Sequence, residues 1–341
     1  MNDIKIMRTY GVLLIASIVS FIFCFSIGSV NIPLEKIVSI LKFNIFSFGN
    51  VDQAYNGILW YIRVPRIIVA FLVGGGLAIS GAAIQSLFQN PMADPGILGI
   101  SSGASLGAII AIALGLTSIS MFYMPIIAII FAFLAGSLVY KLASYKGKTS
   151  ILGLILSGIA IKTFLGAINA LILTNISDDQ MKEFLFWSMG NLSGRQWNHI
   201  YLAGAPIILL SYYLTRYYKE LNILLLGDEQ GISLGIDVGR FRRKILIVTS
   251  IITGLAVCIS GSIGFVGLVI PHILRVIKGS DNRYILPMSF FLGGIFLINA
   301  DLISRIIISP KEVSIGIVTA LIGAPYFIYL LLKYKKESID G

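Results

Sequence analysis

Few residues in this chain of 341 carry the chemistry of an active centre. Cys24 and Cys258 each lie inside an apolar run with no second cysteine or histidine at ligand spacing, so neither a disulfide frame nor a zinc site is indicated. Two histidines, His199 and His272, complete that inventory. The run Gly147-Lys148-Thr149-Ser150 resembles the end of a phosphate-binding loop, but the first glycine of that pattern would stand where the chain has Leu142. We therefore expect no catalytic residues, no bound cofactor and no metal. Work done by such a chain must draw on ATP hydrolysed by another subunit or on an ion gradient. What remains are cations in unusual places. Arg63 and Arg66 flank Pro65 at the mouth of a charge-free run, and Lys162 interrupts an apolar one. A guanidinium at such a mouth can anchor to lipid head groups, or it can hold a carboxylate through two hydrogen bonds of its planar fork.

The segments that place these cations are apolar to a degree that decides the class. Hydrophobic residues make up 57% of the chain and charged ones 12%, with a mean hydropathy of +0.90. A soluble domain does not look like this. A spanning helix needs about 20 mostly apolar residues, because lipid offers backbone N–H and C=O groups no partner. Dividing the apolar runs at Pro, Gly and polar turns predicts about ten helices, centred near residues 20, 76, 104, 130, 162, 207, 254, 272, 295 and 323. The fold class is thus an all-α polytopic membrane protein, a single transmembrane domain over 1–341. The first run lacks a clear small-residue cleavage site and is read as a helix rather than a signal peptide. Lys and Arg concentrate in the segments that become cytoplasmic if both termini are inside. The net charge of +10 then reflects topology and anionic lipid, not nucleic acid.

Internal organisation is faint but readable. "AISG" at 78–81 and "CISG" at 258–261 fall in the second and seventh predicted spans, which would cross in opposite directions. This is a weak inverted repeat of the kind transporters use, and chance similarity in a biased composition is the alternative. Gly99, Gly103 and Gly107 suggest a smooth face for close helix contact, with Asp94 as N-cap and Pro95 opening that helix. Residues 221–240 hold too many charges to span. Asp228 and Glu229 would open a short helix there and Gly235 close it, with a second short segment running to Arg240, Arg242 and Arg243. A docking element for another protein fits this mixed character better than a helix lying on lipid.

Several ordered stretches identify a family. "RVPR", "AISGAAIQSLFQNPMADPGILGISSGA", "LLLGDEQGISLGI", "GSIGFVGLVIPHILR", "ADLISR" and "IGIVTALIGAPYFIYLLLK" closely resemble the permeases of bacterial importers for iron siderophores, haem and cobalamin, from about residue 10 to 335. The resemblance implies a multi-pass permease in the bacterial inner membrane that dimerises with a second copy or a paralogue. It further implies two cytoplasmic ATPase subunits, which bind the ATP and Mg, and an extracytoplasmic substrate-binding protein. By the same resemblance, Leu226, Gly227, Asp228, Glu229, Gly231, Ser233, Leu234 and Gly235 form a coupling helix seated in the ATPase. Asn90, Pro91 and Met92 form an inner constriction, Thr149 and Ser150 another part of that gate, and Arg63, Arg66 and Arg305 meet acidic residues of the binding protein. Asp301, one helical turn before Arg305, would partly neutralise or orient it.

Lys162 departs from the family pattern, which places a small or apolar residue there. A lysine at mid-membrane costs roughly 2.5 kcal/mol or more on insertion scales, so it should face protein or water. An anionic substrate, a buried partner and an interfacial position all satisfy that requirement. The function expected is import of a ferric siderophore or haem, with cobalamin as the alternative cargo. An ion-gradient-driven transporter is the alternative of another class, though Asp94 and Asp301 are the only acidic residues near spans and both have local explanations.

Overall fold

In the computed structural model, which describes residues 3–28, 30–145, 148–149 and 151–340, the apolar runs fold into helices in the order they occur. The first half comprises α1 (Asp3–Ser26), α2 (Leu34–Phe46), α3 (Gln53–Asn56), α4 (Val64–Leu87), α5 (Ile100–Ala113), α6 (Leu116–Ile119), α7 (Tyr123–Ala143) and α8 (Ile151–Leu173). The second comprises α9 (Asp178–Ser188), α10 (Trp197–Thr215), α11 (Tyr218–Leu224), α12 (Asp228–Ser233), α13 (Val238–Ser260), α14 (Val266–Lys278), α15 (Asn282–Ile306) and α16 (Ile315–Asp340). Among the described residues the only strands are a two-residue antiparallel ladder between α7 and α8, pairing Ser144 with Thr149 and Tyr145 with Lys148. Every one of the ten hydropathy centres falls inside a helix. Six described helical stretches are long and apolar enough to cross a membrane: Arg8–Ser26, Gln53–Leu87, Tyr123–Ala143, Leu152–Leu173, Val238–Ser260 and Asn282–Ile306. Ile100–Ala113 and Ile315–Leu330 are apolar but shorter.

α4 is the axis of the bundle, buried along almost its whole length by α10, α13, α14 and α15. Its small residues permit this. A Cβ placed on Gly81 would lie 1.8 Å from the Gly267 carbonyl oxygen, so any side chain there would drive α14 off the axis. The helical path is already under way before Pro65. A π-helical stretch, Gly57–Arg63, joins α3 to α4 without interruption. Pro65 has no N–H to return to the preceding turn, and the carbonyl five residues back, Trp60 O, instead accepts from Trp197 Nε1 at 3.0 Å. The two indole rings pack with centroids 4.9 Å apart. Together with α2, this excursion between α1 and α4 holds its own small core of Ile32, Ile37, Ile40, Leu59 and Val64.

Two local expectations change on folding. Asp94 does cap, its Oδ1 accepting from Gly96 N–H at 2.7 Å, and Pro95 does open a turn. That turn is a 3-10 segment ending at Leu98, and Gly99 breaks it with φ +71° before α5 starts. Gly99 therefore supplies a left-handed backbone rather than a smooth face, while Gly103 and Gly107 do abut α7. After α12 the chain makes no second short segment. Asp237 accepts from Arg240 N–H as the cap of α13, and the basic run Arg240–Arg243 forms the first turns of that long helix.

Candidate functional site

The expected cations at the mouth of α4 are present but not displayed. Arg63 is buried, its Nη1 donating to Phe25 O at 2.7 Å and Ser26 O at 3.2 Å and its Nη2 to Val30 O. It ties the end of α1 to the α2 excursion. Arg66 is also buried. Its Nε and Nη2 donate to Asp301 at 2.9–3.1 Å, and its Nη1 donates to both oxygens of Glu312 at 2.9 and 3.0 Å. Arg305 Nε lies 3.2 Å from Asp301 Oδ2 as an ion pair, and its Nη2 has no hydrogen-bond partner. All three arginines are thus buried within the single chain rather than displayed at its surface. Asp301 and Glu312 are available to pull Arg66 inward, and Asp301 also serves Arg305, as its i, i+4 spacing suggested. In the loop before α10, Arg195 approaches the same cluster, and burial, reinforced by the Arg66 charge, brings it down to about 10. Its Nη1 faces His199 Nε2 at 3.3 Å, and His199 Nδ1 accepts from Gln196 N–H as part of a helix cap. Neither Arg195 nor Glu312 was legible as a site residue, because no motif marks a charge whose partners lie far away in the chain.

At the other end of α4, α12 packs with one side on α11 and α13. Gly227 (φ +128°) and Gly235 (φ +82°) bracket it in left-handed conformations, so the closing role of Gly235 holds. Asp228 and Glu229 occupy the first turn but do different things. Both oxygens of Asp228 accept from Arg242 Nη2 at 2.9 Å, which fastens α12 to α13, while Glu229 is exposed. Gly231 faces inward, where a Cβ would come within 3.0 Å of Leu224 and 3.1 Å of Val238. The outward side presents Leu226, Ile232 and Leu234, exposed by 70%, 64% and 65%, with Ser233 between them. Ile232 on this six-residue helix, with Leu226 and Leu234 flanking it, makes an apolar tooth.

Beside it lies the turn Asn90-Pro91-Met92. Asn90 Oδ1 accepts from Met92 N–H at 2.8 Å, and Asn90 N–H returns to Gln85 O at 3.1 Å across the end of α4. The turn edges a cavity of about 330 Å³ that also touches Gln89, His272 and Arg275. Thr149, assigned to the same gate, pairs through its backbone with Ser144. Ser150 lies outside the described residues.

A larger cavity, about 630 Å³, opens between α5 and α8. Lys162 lies on its wall, the twelfth residue of a 23-residue helix, with its side chain exposed. Ile155, Gly158, Ile159, Gly166 and Asn169 share the Lys162 stripe on α8, and Ser101, Ser102, Ser105 and Asp94 face it. Asn169 Nδ2 donates to Ser105 Oγ at 3.0 Å, while its buried Oδ1 has no partner. Among the described residues, neither Lys162 nor Asp94 stands in an ion pair. This polar lining escaped the sequence reading apart from Lys162, because serines and a lone asparagine in apolar helices give no signal until two helices align them.

Known proteins resemble this chain over most of its length. Residues 14–333 match the FecCD transport family. The chain belongs to that family. Similar FecCD permeases include the cobalamin import system permease of Halobacterium salinarum, 43% identical over 83% of this chain and 75% of the relative. The hemin transport system permease of Yersinia pestis is 38% identical over 84% of this chain and 87% of its own length. The iron(3+)-hydroxamate permease FhuG of Bacillus subtilis is 34% identical, with 89% and 92% covered. A solved structure described as an inward-facing metal-chelate type ABC transporter superposes with a TM-score of 0.85 at 29% identity, over 96% of this chain and 99% of its own. This FecCD chain is accordingly an ABC importer permease and a multi-pass membrane protein. ATP hydrolysis in such importers belongs to partner subunits, and the ion-gradient alternative falls.

Proposed function

We propose that this FecCD permease passes an intact iron chelate or haem into the cytoplasm by alternating access, using ATP bound by two partner subunits. In this reading ten helices cross the membrane, both termini are cytoplasmic, and the AISG and CISG helices belong to inverted halves. A second permease copy or paralogue covers α8, and the pathway runs between the two. α12 inserts Leu226, Ile232 and Leu234 into the ATPase, and the Asn90–Met92 turn closes the inner end. The extracytoplasmic binding protein docks over the Arg66 cluster. There Glu312, half-exposed, is the group that a partner carboxylate would displace to reach the Arg66 fork.

The observation that carries this reading is the cavity between α5 and α8. A lysine midway along an exposed apolar helix would cost roughly 2.5–3.5 kcal/mol against lipid, so that face needs water or protein before it. A pathway lined by Lys162, Asp94, five serines and the Asn169 amide answers that need and suits a polar cargo carried whole. The relative at 43% identity favours cobalamin as the second reading.

The test is uptake by proteoliposomes holding the permease and its ATPase. Each of a ferric siderophore, haem and cobalamin is supplied with its own binding protein. ATP-dependent accumulation of an iron chelate or haem supports the proposal, and accumulation of cobalamin alone moves the assignment to the second reading. With an anionic cargo, Lys162→Met is expected to slow uptake about tenfold, equivalent to a screened attraction of about 1.4 kcal/mol, with thermal stability unchanged. A variant that fails to accumulate in membranes but transports normally per molecule would make Lys162 a structural residue instead.

A further inference from the structure

The end of α4 carries a residue that its backbone does not favour. Gln89 follows the last turn with φ +51°, in the left-handed region, while Asn90 N–H bonds to Gln85 O five residues back. This is the helix-ending arrangement in which glycine is the usual occupant of the left-handed position, because a Cβ there is strained. A glutamine at such a place points to work done by its side chain. That side chain crosses to the neighbouring element: Gln89 Nε2 donates to Leu224 O at 2.7 Å, at the last residue of α11. Leu224 O also accepts from Gly227 N–H, the residue that opens α12. On the other side Asn90 begins the turn that edges the inner cavity. One amide thus stands between the docking helix and that turn.

A second set of bonds holds the surroundings in register. Ser86 Oγ donates to Asn282 Oδ1 at 2.7 Å, Arg275 Nη2 donates to Ser86 Oγ at 2.8 Å, and Asn282 N–H donates to Asn222 Oδ1 at 2.8 Å. Through these, α4, α11, α14 and α15 meet at one end as a hydrogen-bonded frame. Gln89 is the member of this region attached to the turn itself.

We infer that Gln89 is a positioning residue that transmits movement of α12 to the Asn90–Met92 turn. This inference rests on the proposed seating of α12 in the ATPase. When the ATPase shifts α12, α11 moves with it, and the Gln89 amide draws the turn along. Without that bond the turn keeps its own backbone geometry but no longer follows.

Gln89→Gly and Gln89→Asn provide the test, because both residues accept a left-handed backbone and neither reaches Leu224 O. The permease is assembled with its ATPase, and amide hydrogen exchange is followed with and without ATP in the segments 88–94 and 226–235. In the wild-type complex both segments should respond to ATP. In both variants the response of 226–235 should persist and that of 88–94 should be lost, with melting temperature unchanged or raised and ATPase rate retained. In transport assays the cargo moved per ATP should fall several-fold. An undiminished response of 88–94 in either variant overturns the inference whatever the cargo is. If ATP leaves 226–235 silent in the wild type, the seating of α12 fails first and the inference falls with it, a result distinguishable from the former.

Discussion

Asp301→Asn is expected to cost about 3–5 kcal/mol of stability, the usual penalty for removing one partner from a buried ion pair. Asp301 is 1% exposed and shared by two guanidiniums that are themselves buried. Without it Arg305 has no carboxylate, and Arg66 retains only the half-exposed Glu312. Two like charges would then face each other in a place that water reaches poorly. Arg66→Met should do less harm, since Asp301 still has Arg305 and the exposed side of Glu312 can hydrate. The ranking is the sharp part, because a reading of these arginines as free docking groups would make Asp301 nearly dispensable. Thermal unfolding of the detergent-purified permease measures it. Combining Asp301→Asn with Arg305→Met should recover much of the loss, because the unpaired cation is removed while Arg66 keeps Glu312. A melting temperature for Asp301→Asn equal to that of the wild type would mean that water, not Asp301, solvates the two guanidiniums.

The second large effect is expected at α12. If Leu226, Ile232 and Leu234 are buried on assembly, each contributes about 1.5–3 kcal/mol of apolar transfer. Ile232→Asp together with Leu234→Asp should then weaken ATPase association by at least about a hundredfold, since the gain is lost and two carboxylates are forced into an apolar cleft. The permease itself should insert and melt as before, because both side chains are bare in the single chain. Copurification of the ATPase and the binding isotherm of purified components read the effect. An unchanged isotherm would place the ATPase elsewhere on the permease. Asp228→Asn should behave differently. It breaks the bond to Arg242 and so loosens α12 from α13, weakening coupling more than association.

Much of this architecture could be read in one dimension, for reasons local to the chain. Hydropathy places the ten helical centres because burial in lipid demands long apolar runs whatever their neighbours. Capping and turn chemistry reach only a few residues, so Asp94 with Pro95, and Asp228 with Gly235, reveal an element's beginning and end. The short α12 was legible on these grounds, and the ordered motifs were enough to name the family. Other features depend on residues far apart. Whether Arg66 points outward or inward turns on Asp301 and Glu312, 235 and 246 positions away. Exposed and buried arginines look alike until those carboxylates arrive. The same holds for the amide of Gln89 on Leu224, and for the serines and Asn169 that meet Lys162 across a cavity. Periodicity states that a helix has a face. Which face meets a carboxylate, a carbonyl or open water is set by the packing of helices against one another, since a hydrogen bond or ion pair forms only within about 3 Å and that distance exists only after the chain has folded.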